Sequence, residues 1–319
     1  MIKHITQLIL LFSIALFAQQ KPYSAQIDSL LNAAPGLIAQ QNYIHNSSFT
    51  GIPLWRYGFA ETDTISILHI GDSHIAGKYY PRATAEFLFN SFKDGGSDFF
   101  APAIVKKKKV IRKKKRKKTA TKKSRTELLI PFEKDIAGLQ LVAASSISLV
   151  ESPTIKFYSY GVSGKTYKYF TTSQELIKYL KSLKPSLVII SLGGNDSFTA
   201  NYSSESIIGD LEALLAVIKT HSPSSRFVIT TPTDAFLKKT ATNPNLLLTR
   251  NAIIEYCEQN SLGYWDIFGI MGGENSMNRW FENGLAQKDK IHFSKLGYKL
   301  LGYLLADALY NAHMSTIDK

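Results

Sequence analysis

Five short apolar runs, separated by stretches of helical periodicity, constrain what this chain can fold into. They are TISILHI at Thr64–Ile70, TIKFYSY at Thr154–Tyr160, SLVIISL at Ser186–Leu192, RFVITT at Arg226–Thr231 and GYWDIF at Gly263–Phe268. Short runs rich in β-branched and apolar residues suit strands of a sheet buried on both faces. Helical patterns lie between the last four, at Ser173–Leu183, Ser204–His221 and Pro244–Asn260, and a final one covers Ser294–Ala312. Strands and helices in alternation predict βαβ units. The expected class is α/β, with a parallel sheet of about five strands between helices on both faces. In such a sheet, sites gather at the carboxyl ends of the strands.

One interval, about 91–152, breaks this rhythm and reads as an insertion between the first two strands. Its centre, Lys106–Arg125, carries fourteen lysines and arginines and no acidic residue, against a formal charge of +13 for the whole chain. The basic character therefore belongs to one segment, and the rest is close to neutral. Like charges at this density repel one another and bury nothing, which predicts a disordered excursion. The tract has two readings: a solvated loop, or an electrostatic contact with anionic envelope polymers that weakens with salt. Nucleic acid is disfavoured, because no aromatic residues are interleaved with the lysines. The flanks Gly95–Phe100 and Leu129–Val150 are apolar enough to be ordered.

At the amino end, Lys3 precedes an apolar run from Leu8 to Ala18, too short to span a bilayer and suited to a secretory signal over 1–18. Residues 19–60 form a helical and irregular extension, with Ile27, Leu30, Leu31 and Ile38 in a pattern broken by Pro35. Residues 61–319 make up the main domain. No later segment reaches spanning length. Cys257 is the only cysteine, which excludes an intramolecular disulfide, a cysteine-based metal cluster and a lipid anchor at the cleavage point. A periplasmic or extracellular bacterial protein is expected.

Four blocks carry chemistry: GDSH at Gly71–His74, GVSG at Gly161–Gly164, GGND at Gly193–Asp196 and DKIH at Asp289–His292. Ser73 follows the first strand, where a turn into a helix exposes its hydroxyl and leaves its backbone N–H free. A serine nucleophile needs a base, and the base needs an orienting acceptor. Asp289 and His292 supply both within one turn of chain. His4 falls in the signal, His313 in a frayed end, and His45 and His221 lack a carboxylate at useful spacing. Gly164 offers a backbone N–H and Asn195 a side-chain amide toward the charge that develops in acyl transfer. The plainer reading of these blocks is a set of caps and turns.

Taken in order, Ser73, Gly164, Asn195 and His292 resemble the signature of the SGNH (GDSL-type) hydrolases. That resemblance implies a flavodoxin-like three-layer α/β/α sandwich and serine esterase activity without a cofactor. It implies Ser73 as nucleophile, His292 as general base and then acid, and Asp289 as its partner. The oxyanion hole would comprise Ser73, Gly164 and Asn195. HIGDSHIAG at His69–Gly77, SYGVSG at Ser159–Gly164 and the segment Ile270–Tyr298 further resemble exported esterases that remove O-acetyl groups from peptidoglycan. An acetylated glycan is then the expected partner. Met277 and Trp280, three apart, fit the buried face of a short helix or the lining of a sugar site.

Three alternatives remain in the sequence. The same triad serves an O-acetyltransferase or an acetylesterase on another polysaccharide. A metal-dependent phosphoesterase would draw on Asp72, His74, Asn195, Asp289 and His292, but the chain has no H-x-H pair for it. A non-catalytic glycan-binding protein would not need Ser73, Asp289 and His292 intact.

Overall fold

A computed structural model describes residues 36–37, 42–46, 65–91, 142–144, 147–151 and 155–317. The expected signal segment, the Lys106–Arg125 tract and the Gly95–Phe100 flank lie outside the described residues.

The chain enters the sheet at β1 (Ile65–Gly71), followed by the single turn α1 (Ser73–Ala76) and by α2 (Tyr79–Ser91). Two short strands, β2 (Val142–Ala144) and β3 (Ile147–Glu151), precede β4 (Ile155–Gly161). Then come α3 (Tyr167–Thr171) and α4 (Gln174–Leu183), β5 (Leu187–Ser191), and α5 (Gly194–Ser197) with α6 (Ser204–His221). β6 (Arg226–Thr230) leads through a small hairpin, β7 (Phe236–Leu237) and β8 (Ala241–Thr242), to α7 (Pro244–Gln259). The chain ends with β9 (Gly263–Trp265), α8 (Ile267–Ile270), α9 (Ser276–Glu282) and α10 (Lys295–Ile317).

The sheet order is β2-β3-β4-β1-β5-β6-β9. The five strands from β4 to β9 are parallel, and their order is that of a flavodoxin-like doubly wound sheet. These five are the strands expected from the sequence; among the described residues the sheet has seven, because β2 and β3 extend it antiparallel beyond β4. Residues of β1 alternate between two cores. Ile65 and Ile67 face the layer of α2 and α10, while Leu68 and Ile70 face α4, α6 and α7. Burial on both faces is why the strands read as apolar runs.

Two local expectations are corrected. GYWDIF is a strand only to Trp265, because Asp266 caps α8 by accepting the Gly269 N–H at 3.2 Å. The last helix continues past Ala312 to Ile317, and His313 is buried in it rather than frayed. Met277 and Trp280 are buried on the inner face of α9, packed with the α10 core.

The short stretch 42–46 docks on the far edge of the sheet. His45 pairs with Tyr264 of β9 and stacks on its ring. Asn42, itself buried, donates to Leu304 O at 3.0 Å and accepts from Trp265 Nε1 at 3.0 Å.

Candidate active site

Gly161, Gly71, Ser191, Thr230 and Trp265 stand in register across the carboxyl edge of the sheet. The four sequence blocks follow the strands at or near that edge, except the last, which approaches from the loop before α10. The edge is tightly built. A Cβ on Gly161 would run into the backbone of Ile75 and Ala76, so the turn carrying Ser73 lies directly on the end of β4.

Ser73 is the first residue of α1, and the preceding Asp72 caps that turn by accepting the His74 N–H at 3.0 Å. Ser73 Oγ is 2.9 Å from His292 Nε2, and His292 Nδ1 is 2.8 Å from Asp289 Oδ2. The other Asp289 oxygen accepts the Ile291 and His292 backbone N–H groups, both at 3.0 Å. Burial pushes the Asp289 carboxyl up, but the His292 ring and those N–H groups outweigh it and hold the pKa below the ordinary value. An ionised Asp289 fixes the Nδ1–H tautomer, which leaves Nε2 as an acceptor for the Ser73 hydroxyl.

Residues not singled out in the sequence hold this loop. The Lys290 carbonyl accepts the Phe236 N–H at 2.9 Å, and its ammonium donates to Asn278 Oδ1 at 2.7 Å while lying 4.8 Å from the Phe236 ring centre. Gln287 N–H donates to His292 O at 2.7 Å. Phe236 and Asn278 come from β7 and α9, and no spacing in the sequence pairs them with the DKIH block.

Gly164 has φ of +75° in the turn after β4, with nothing within 4 Å of where a side chain would project. Among the described residues, no acceptor takes the backbone N–H of Ser73 or Gly164. The Asn195 amide is arranged differently from expectation. Instead of a free N–H₂ above Ser73, its Nδ2 donates to Asp72 Oδ2 at 3.0 Å and to Lys165 O at 3.1 Å. Both partners are pure acceptors, so the amide orientation is fixed. Its neighbour Asp196 is buried and accepts the Tyr167 N–H at 3.1 Å, and burial raises its pKa to about 6. Residues 195 and 196 thus tie the α5 turn to the turn bearing Gly164.

Of the residues of the metal alternative, Asp72 bonds Asn195, Asp289 bonds His292 and His74 bonds Tyr298. Among the described residues no three His, Cys, Asp or Glu side chains gather as metal ligands. Nor is any described helix long and apolar enough to cross a membrane.

The chain belongs to the GDSL-like lipase/acylhydrolase family, whose model matches residues 142–300. It is a carboxylic ester hydrolase of that family. Ser73 precedes the matched range and joins it through the parallel pairing of β1 with β4 and β5. No curated protein matches the chain. A solved structure described as a peptidoglycan O-acetylesterase in action aligns with a TM-score of 0.57 at 18% identity, covering 91% of this chain and 96% of that one. A family 3 carbohydrate esterase from Clostridium thermocellum aligns at 0.48 and 16% identity, covering 80% and 99%. A lipase/acylhydrolase from Enterococcus faecalis aligns at 0.46 and 16%, covering 78% and 96%. At these identities the likeness to the first of them establishes a common fold.

Proposed function

We propose that this esterase removes O-acetyl groups from a cell-wall glycan through an acetyl-serine intermediate, outside the cytoplasm. The observation that carries the chemistry is the continuous hydrogen-bonded series from Ser73 Oγ through His292 to Asp289. In the first half-reaction His292 Nε2 takes the Ser73 proton as Oγ bonds to the acetyl carbon. The tetrahedral intermediate then expels the sugar oxygen, which receives that proton from His292. In the second half, water attacks the acetyl carbon, His292 removes its proton and returns it to Ser73, and acetate leaves.

Ser73 N–H and Gly164 N–H stabilise the oxyanion, and Asn195 joins them by exchanging its bond to Lys165 O for the developing charge. The secretory pattern at Leu8–Ala18 and the structural likeness to a peptidoglycan O-acetylesterase support the cell-wall substrate. The test is acetate release from O-acetylated peptidoglycan, compared with acetylated xylan and with longer-chain esters. Fastest release from peptidoglycan is expected. Preference for xylan or for long acyl chains refutes the substrate, and transfer of acetyl to a sugar hydroxyl in place of water marks a transferase.

A further inference from the structure

His74, the last residue of the GDSH block, has no part in the reaction written above, yet its ring lies beside the general base. The His74 and His292 ring centres are 5.3 Å apart and tilted by 41°, and His74 also meets Phe293 at 5.6 Å. Its Nδ1 is 3.0 Å from the hydroxyl of Tyr298, a residue in the first turn of α10. Among the described residues, only Asp289 and Ser73 hydrogen-bond the His292 ring. Both bind its nitrogens, and about a third of its side chain is exposed, at 33%. Two bonds at the ring edge leave it free to tilt about the line joining them; a partner against the ring removes that freedom.

The groups facing His74 are Asp72, His292, Asp289 and Tyr298. Burial lowers the His74 pKa, opposed by Asp72 and reinforced by His292, and burial raises that of Tyr298. A neutral imidazole and an un-ionised phenol keep their hydrogen bond as His292 changes charge. An aliphatic side chain of similar bulk would fill the same space but could not be pinned to α10.

We propose that His74 and Tyr298 are positioning residues that work as one unit, holding the His292 ring where Nε2 faces Ser73 Oγ. This rests on the reading of Ser73, His292 and Asp289 as the catalytic triad. The pair joins the turn that bears the nucleophile to the helix that follows the base, so it fixes the two halves of the site relative to each other.

The test uses the full chain with H74L, Y298F, the double variant and S73A, assayed on an aryl acetate. Each single variant should lower kcat about tenfold or more, a sub-ångström loss of alignment being costly, with KM changed less than about twofold. The double variant should fall no further than the worse single. The low-field proton resonance of the His292–Asp289 hydrogen bond should broaden in both singles. Because Y298F removes one oxygen and keeps the ring, it reports on the bonds of that hydroxyl, to His74 and to the Phe293 backbone, even if H74L folds poorly. Wild-type kcat and a sharp resonance in Y298F overturn the proposal, as do losses that multiply in the double variant or fall on KM. If S73A retains the wild-type rate, the triad reading fails instead, and the resonance still decides whether the pair orders the ring.

Discussion

Asn195 Nδ2 lies 3.0 Å from Asp72 Oδ2, so the α5 turn that follows β5 grips the residue before Ser73. Its second hydrogen goes to Lys165 O, in the turn that carries Gly164. One side chain therefore fastens together three strand ends. Asn195→Ala should lose the proposed oxyanion donor and the fastening at once, lowering kcat by about 10²–10³ with little change in KM. Asp72→Asn keeps the size but turns one acceptor oxygen into a donor, and a tenfold smaller loss, about 10–10², is expected. Steady-state kinetics on an aryl acetate check both; a loss confined to KM would contradict the assignment.

Replacing Ser73 by Ala should reduce aryl acetate hydrolysis by several orders of magnitude, about 10⁴ or more, since triad members act as a unit. Asp289→Asn should cost about 10⁴, because an amide can hold the imidazole in the wrong tautomer. Burst kinetics should show an acetyl-enzyme phase in the wild type and none in the serine variant. Retention of most of the rate by either variant would remove the proposed mechanism.

Gly161 tests the packing beneath the turn that carries Ser73. Alanine there would push its Cβ into the Ile75 and Ala76 backbone, which cannot yield as a flexible side chain does. Destabilisation of about 3 kcal/mol or more is expected, with failure to fold as its extreme. Chemical denaturation measures it; a fully stable variant would show that α1 can lift from β4.

Asp196 predicts a pH dependence of stability. Its pKa is raised to about 6 in the folded protein, chiefly by burial, against 3.8 as the ordinary value. The folded state therefore binds the proton more tightly than the unfolded chain, and the Asp196 contribution to stability falls as pH rises from about 4 to about 6. Above that window the ionised group costs about 3 kcal/mol. Asp196→Asn keeps an acceptor for the Tyr167 N–H without the charge. The variant should gain stability relative to wild type across that window and hold a constant advantage above it. Parallel denaturation curves at several pH values check this, and a pH-independent difference would refute it.

Asn42 probes the docked amino-terminal stretch. It satisfies Trp265 Nε1 and Leu304 O, two buried groups on different elements. Asn42→Ala should cost about 2 kcal/mol, chiefly by leaving Trp265 Nε1 unpaired. Thermal or denaturant unfolding measures the loss; a neutral effect would mean that water replaces the amide.

The five parallel strands were legible because burial on both faces demands apolar residues along their whole length, as Leu187–Ile190 illustrate. The blocks around Ser73, Asn195 and His292 were legible because catalysis and tight turns restrict residue type and local spacing. The β2–β3 pair escaped notice: edge strands of three and five residues carry too little pattern to separate from a loop. GYWDIF misled in the opposite sense, because an apolar run does not reveal where a capping aspartate turns strand into helix. The bonds of Lys290 to Phe236 and Asn278, and of His74 to Tyr298, were illegible because their partners are brought together by the fold.

By itself, then, the sequence determined the strand and helix alternation and the residue types at four strand and loop ends, since these depend on local periodicity and local chemistry. Tertiary structure alone decided that Ser73 and His292, 219 positions apart, meet at 2.9 Å. It also decided that the Asn195 amide is spent on Asp72 and Lys165. The physical reason is that hydrogen-bond geometry tolerates errors of only a few tenths of an ångström. That precision is set by how β1, β5 and α10 pack, not by any stretch of chain taken alone.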